Sequence, residues 1–168
     1  MSPSPFILLC GAGLLAIYSS TISKSPVLPI FASHLGADPA GVGLVAAVSA
    51  FTGVAVSLPA GLLSDRLGRR RLLLFSALVF ASAPFLYLAV DSTWQLMLAR
   101  LYHGLATAIF VPVAMALVAD LHEGARGEKM GWFSTATLLG RFVAPISGGA
   151  ILTALNSQPA LSFHAVYL

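Results

Sequence analysis

Residues 61–71 read G-L-L-S-D-R-L-G-R-R-R, four arginines and one aspartate within a single short stretch. On either side lie apolar runs, 42–63 and 72–90, each about as long as the roughly 20 residues a membrane helix needs. A basic turn this short between two such runs is a tight hairpin joining two membrane helices. Lys and Arg beside short loops stay on the cytoplasmic side. The stretch therefore fixes orientation as well as fold, and it puts the N-terminus, two spans earlier, on that cytoplasmic side too.

The rest of the composition agrees. Of 168 residues, 58% are hydrophobic and only 9% charged, with a mean hydropathy of +0.90. A soluble domain carries roughly a quarter charged residues, so the solvent of this chain is expected to be lipid. The formal charge of +3 is not a nucleic-acid footprint, because six of the nine Lys and Arg (Arg66, Arg69, Arg70, Arg71, Arg126, Lys129) fall in two short loops. The alternate loops, near 34–40, 91–92 and 156–160, carry none, which is the positive-inside pattern of a multi-pass plasma-membrane protein. The opening M-S-P-S-P-F has no basic region ahead of its apolar run, so the first span reads as a retained helix and not a cleaved signal. One cysteine, Cys10, allows no internal disulfide.

Taken in order, the spans are expected at about 6–31, 42–65, 72–90, 93–121 and 131–155, within a single transmembrane domain covering 1–168. A sixth begins at 160 and stops at 168. The second half of the first span is polar and holds Pro26 and Pro29; proline removes a backbone hydrogen bond, so a kinked helix facing a cavity is expected. In the second span Ser49, Gly53, Ser57 and Gly61 recur every four residues, a row of small side chains that lets another helix approach. The third is nearly uniform in apolarity and reads as the most lipid-exposed. In the fourth, Arg100, His103 and Thr107 share a face, and Pro112 is expected to bend the helix. In the fifth, Ser134, Thr137 and Arg141 share a stripe ahead of A-P-I-S-G-G. The nine residues of the sixth segment would rise only about 13 Å as a helix, under half of a roughly 30 Å hydrocarbon core. The chain is therefore expected to be part of a longer protein.

Several of these residues carry a resemblance. The hairpin is similar to the signature G-x-L-a-D-r-x-G-r-k of the major facilitator superfamily, with Gly61, Leu63, Asp65, Arg66, Gly68, Arg69 and Arg70 in place and Ser64 in the small-residue slot. P-V-L-P resembles the P-x-x-P of the family's first helix. Arg100, Gly104 and Ala108 fit R-x-x-x-G-x-x-x-A of the fourth. Gly131, Gly140, Pro145, Gly148 and Gly149 fit the fifth-helix element of drug:proton antiporters, with Ala144 replacing one of its glycines. The resemblance covers the whole chain as an amino-terminal half. It implies an all-α membrane fold of the major-facilitator type: a six-helix half-domain of two inverted three-helix repeats, with five complete helices and the start of a sixth. It also implies a charge relay of Asp65, Arg69 and Asp120 at a cytoplasmic gate, a packing role for Gly140, Pro145, Gly148 and Gly149, and a missing carboxy-terminal half as partner. Read from the residues alone, an alternative is that the arginines serve only to set topology and bind lipid phosphate, and that A-P-I-S-G-G is a tightly packed seam with no role in coupling direction.

Charges within the spans point to function by themselves, since an ionisable group in hydrocarbon is costly. Lys24, Arg100 and Arg141 are such groups, and with His103, Thr107 and Thr137 they form the expected substrate or coupling cavity. Lys24 reads either as a ligand or as a lysine whose amine reaches the outer interface. All six carboxylates (Asp38, Asp65, Asp91, Asp120, Glu123, Glu128) fall in loops or at helix ends, so this half offers no mid-membrane carboxylate for a proton. His103 titrates near neutrality when free but equally suits a packing role. The expected function is secondary transport of a small solute, first an efflux antiporter, then an organic-anion carrier; a non-transporting membrane interaction protein is the reading of another class. No enzyme, metal, cofactor or nucleic-acid partner is expected: the sequence has no metal-ligand cluster, no nucleophile paired with a base and no glycine-rich phosphate loop.

Overall fold

The structure, a computed structural model, describes residues 4–155 together with 163, 165 and 166. The described residues are almost wholly helical: α1 Pro5–Ile22, α2 Val27–His34, α3 Pro39–Leu67, α4 Arg69–Leu88, α5 Thr93–Leu121 and α6 Arg126–Ala154, with one 3-10 turn at Glu123–Ala125. Among the described residues, five stretches are long and apolar enough to cross a membrane, α1 and α2 together forming the first. The chain is an all-α, multi-pass membrane protein. Most of the expected sixth segment, 160–168, lies outside the described residues; Phe163 and Val166 are buried in the cluster around α2, the Phe163 ring 4.9 Å from that of Phe31.

Local chemistry sets the helix ends. Ser4 caps α1 by accepting the Ile7 N–H at 3.3 Å, with Pro5 in the first turn. Asp38 caps α3 through the Gly41 N–H at 2.7 Å, and Ser92 caps α5 through Gln95. The first span breaks at residues 23–26, where Pro26 brings no N–H to the ladder. Pro29 falls in the first turn of α2, where the lost N–H has no partner in any case. Pro112 lies within α5, which runs unbroken from Thr93 to Leu121.

Two packed groups make up the bundle. α5 runs against both α3 and α4, and α1 against α6; α5 also touches α1 and α6 and so joins the two. The α1–α6 seam is a backbone contact. A Cβ added at Gly140 would collide with the carbonyl oxygen of Leu14 and lie 3.1 Å from the Tyr18 nitrogen. Nearby, one added at Gly13 would come within 2.7 Å of the Phe133 ring. Tyr18 and Ser147 share a hydroxyl bond of 2.8 Å across the same seam.

Two expectations about helix faces are corrected. α3, not α4, is the least buried of the five spans. The uniform apolarity of α4 hides a buried face, Leu72, Ser76, Val79, Ala83 and Tyr87, whose small members Ser76 and Ala83 let α5 come close. The small-residue row of α3 does not receive a helix at Gly53 or Gly61, which have open space around them. The close approach to α5 is one position over, at Thr52, 3.2 Å from where a Gly104 Cβ would sit.

Gly140→Ala is expected to lower stability by about 1–3 kcal/mol, the usual cost of forcing extra volume into a filled contact. Gly149→Ala, with nothing within 4 Å of its added methyl, is expected to be neutral or to gain up to about 1 kcal/mol from helix propensity. Reversible unfolding in mixed micelles separates the two.

Candidate functional site

At one end of the bundle the hairpin of residues 61–71 is built around Gly68. Its φ of +90° ends α3 and starts α4 in one residue, a conformation glycine alone adopts without strain. This sharp turn lifts Arg69 into the first turn of α4, where Nη1 lies 2.9 Å from Asp65 Oδ1 and also donates to Ser64 Oγ at 2.9 Å. Nε of the same guanidinium donates to Asp120 Oδ2 at the end of α5. One cation thus meets two carboxylates from different helices. Arg69 is the sheltered member; both carboxylates are more than half exposed. Arg66, Arg70 and Arg71 are exposed and make no ion pair among the described residues.

The start of α1 is at this same end. The Phe6 ring stands edge-on to His122 at 5.2 Å, with the Lys129 amine 5.4 Å from its centroid. Asp38 and Asp91, near the start of α3 and just before α5, are at the other end.

Within the bundle, Arg100 is 1% exposed. Nε and Nη2 both donate to Ser49 Oγ of α3, at 3.0 and 2.9 Å, and Nη1 donates to the Tyr87 hydroxyl of α4 at 2.9 Å. The Tyr87 hydroxyl lies 3.2 Å from His103 Nδ1, and His103 packs edge-on against Phe80. His103 Nε2 is buried without a hydrogen-bond partner among the described residues. The line Ser49–Arg100–Tyr87–His103 therefore crosses three helices and contains no carboxylate.

In front of this network lies an open cavity of about 390 Å³, lined by Lys24 from the α1–α2 break, Ser49, Gly53 and Ser57 of α3, and Thr107 and Pro112 of α5 among others. Gly53 and Thr107 are the midpoints of their helices. Lys24 thus opens onto the middle of the bundle. The Thr107 hydroxyl donates to Ser20 Oγ at 3.0 Å and so ties α5 to α1 beside the cavity.

The expected cavity residues consequently divide. Lys24 and Thr107 share its wall. Arg100 and His103 sit behind it, in the buried network. Thr137 does not line it: its hydroxyl turns back to the Ser134 carbonyl at 2.8 Å and its methyl packs towards Gly13. Arg141 is exposed and does not line it either. Of the packing residues, Gly140 and Gly148 meet α1 and the break before α2, Pro145 is half-buried in α6, and Gly149 meets nothing within 4 Å. Tyr87 was missed from the sequence. Its signal was available: the hydroxyl of the single tyrosine in α4, near the end of that apolar span, needs a polar partner once it is buried.

A helical bundle of membrane-crossing length, with a polar cavity at mid-depth and a charge cluster at one end, is the half-domain of a polytopic membrane protein. The profile of the Major Facilitator Superfamily matches residues 8–168, and the chain belongs to that family. It is 31% identical over 147 residues to the multidrug resistance protein MdtL of Shewanella oneidensis, covering 86% of this chain and 37% of that protein. It is 27% identical to an uncharacterized MFS-type transporter of Methanocaldococcus jannaschii (87% of this chain, 36% of that one). To the quinolone resistance protein NorA of Staphylococcus aureus it is 24% identical (92% and 38%). The chain spans little more than a third of the length of these curated relatives. It corresponds to the amino-terminal half of a family member and is similar to drug-efflux members.

Tyr87→Phe removes the acceptor of a buried guanidinium and is expected to destabilise the protein by about 1–3 kcal/mol. Tyr102→Phe, which breaks only a hydroxyl pair with Ser82, should cost about 1 kcal/mol or less. Thermal unfolding in detergent measures both.

Proposed function

We propose that the chain forms a single half-domain of a secondary active transporter, one that exports a small solute across the plasma membrane by alternating access coupled to proton entry. The observation that carries this reading is the sharing of Arg69 between Asp65 and Asp120. Ion pairs that join the ends of separate helices in one state and part in another make a two-state latch. A guanidinium needed only for topology has no use for two carboxylates, or for a glycine turn that aims it at them. The hairpin end is then the cytoplasmic face, and the N-terminus lies there with it.

Export is supported by the likeness to a multidrug resistance protein and a quinolone resistance protein, together with the fifth-helix glycines. The solute site is the mid-depth cavity, closed in the working protein by a second half that completes the wall. Since every carboxylate of this chain stands at a helix end or in a loop, the proton-carrying group is assigned to that second half.

Asp65→Asn in the full gene product tests the latch. Transport is expected to fall by more than about tenfold while the amount of protein in the membrane stays within about twofold, the first being the effect of about 1.4 kcal/mol or more on one state. Equal loss of both would make Asp65 a folding residue. Solute uptake into inverted vesicles should also follow an imposed proton gradient and vanish when it is collapsed.

A further inference from the structure

We propose that the mid-depth cavity recognises an organic carboxylate, with the Lys24 ammonium as the charge that meets it. The proposal rests on the carrier reading and deepens it by naming the solute class.

The argument begins with a charge imbalance. The chain has six carboxylates. Asp38 caps α3 and Asp91 precedes α5; Asp65, Asp120, Glu123 and Glu128 are at the hairpin end. Every ion pair among the described residues uses Arg69, Arg126 or Lys129. The three basic groups within the spans, Lys24, Arg100 and Arg141, have no anionic partner there. A buried cation without a counter-charge is unstable in hydrocarbon and needs one from elsewhere.

Two of the three are poor candidates for the contact itself. Arg141 is exposed and off the cavity wall. Arg100 is enclosed, and its donors are already given to Ser49 and Tyr87. Both acceptors are neutral, so its charge is held in place but not cancelled. It stands behind Ser49, a residue of the cavity wall, as a fixed positive charge.

Lys24 differs. Its side chain is on the cavity wall, and its amine has no hydrogen bond or ion pair among the described residues. The α1–α2 break carries it there, and Ser57 and Thr107 line the same cavity. One cation, a few hydroxyls and an otherwise apolar wall of Ala108, Val111 and Pro112 suit a carboxylate on an apolar body. An amine of the same shape would meet like charge, which such a site rejects.

The test uses the full gene product, purified in detergent and reconstituted in vesicles. Probes are aromatic and aliphatic carboxylates, each beside its own amide and amine. Carboxylates are expected to raise the unfolding temperature of the wild type and to cross the vesicle membrane. Lys24→Met and Lys24→Gln, checked for monodispersity, should weaken that binding by at least about tenfold, and Lys24→Arg should largely restore it. Amines or amides binding and crossing while carboxylates do neither would overturn the charge assignment and leave the carrier intact. Carboxylate binding indifferent to both neutral variants would overturn the role of Lys24. Binding by no member of the panel would overturn the proposal. Carboxylate binding without flux would instead sink the carrier reading and leave the site.

Discussion

Arg100 sets the terms for three of the helices. Hydrocarbon offers a guanidinium nothing to bond to, so its donors must be satisfied inside the bundle or the helix that bears it cannot stay in the membrane. Ser49 and Tyr87 do this from α3 and α4, and the requirement fixes how both helices are rotated about α5. With Ser49 turned inward, the residues one and two turns further along, Gly53 and Ser57, come to face the same open space. The cavity follows from the burial of the arginine. Thr52 against Gly104 brings the α3 and α5 backbones close at that level. Tyr87, fixed by the guanidinium, in turn positions His103 against Phe80.

Charge is sorted along the bundle as well as within it. The hairpin end gathers Arg69, Asp65, Asp120, the start of α1 and the first turn of α6, so that loops far apart in sequence make one polar cap. The opposite end carries Asp38 and Asp91 and none of the six loop cations. Between these ends the chain keeps only positive charge. This distribution follows from simple physics: loops tolerate both signs in water, while an ion within a span is costly unless polar groups or a water-filled cavity receive it.

Much of this was legible beforehand, for identifiable reasons. Helical spans are set by length and apolarity, both local properties, so the five crossings and the basic hairpin could be read directly. Breaking of the first span at Pro26 was equally local. Faces were harder. Whether α4 turns Ser76 and Ala83 towards a neighbour or towards lipid depends on which helix lies beside it, and its own uniform apolarity carries no such information. Lys24 was ambiguous for a related reason. Counting residues placed it towards the outer end of the first helix, whereas the break before α2 sets it on the cavity wall with the midpoints of α3 and α5. Thr137 and Arg141 lie on the stripe that the helical period gives them, but α1 covers part of that stripe at Gly13 and leaves the rest outside the cavity. Periodicity names a face and cannot say what stands opposite it.

The α1–α6 seam has a mechanical consequence. Where Gly140 meets Leu14 and Tyr18, main chain rests on main chain, and no side chain at that point can swing to a new rotamer and take up slack. Sliding one helix past the other there would lift the two backbones apart, so the pair behaves as a single rigid lever. Any displacement within this half has to be absorbed at joints with more give: the interrupted stretch around Lys24, or the thinner contacts through which α5 touches α1 and α6.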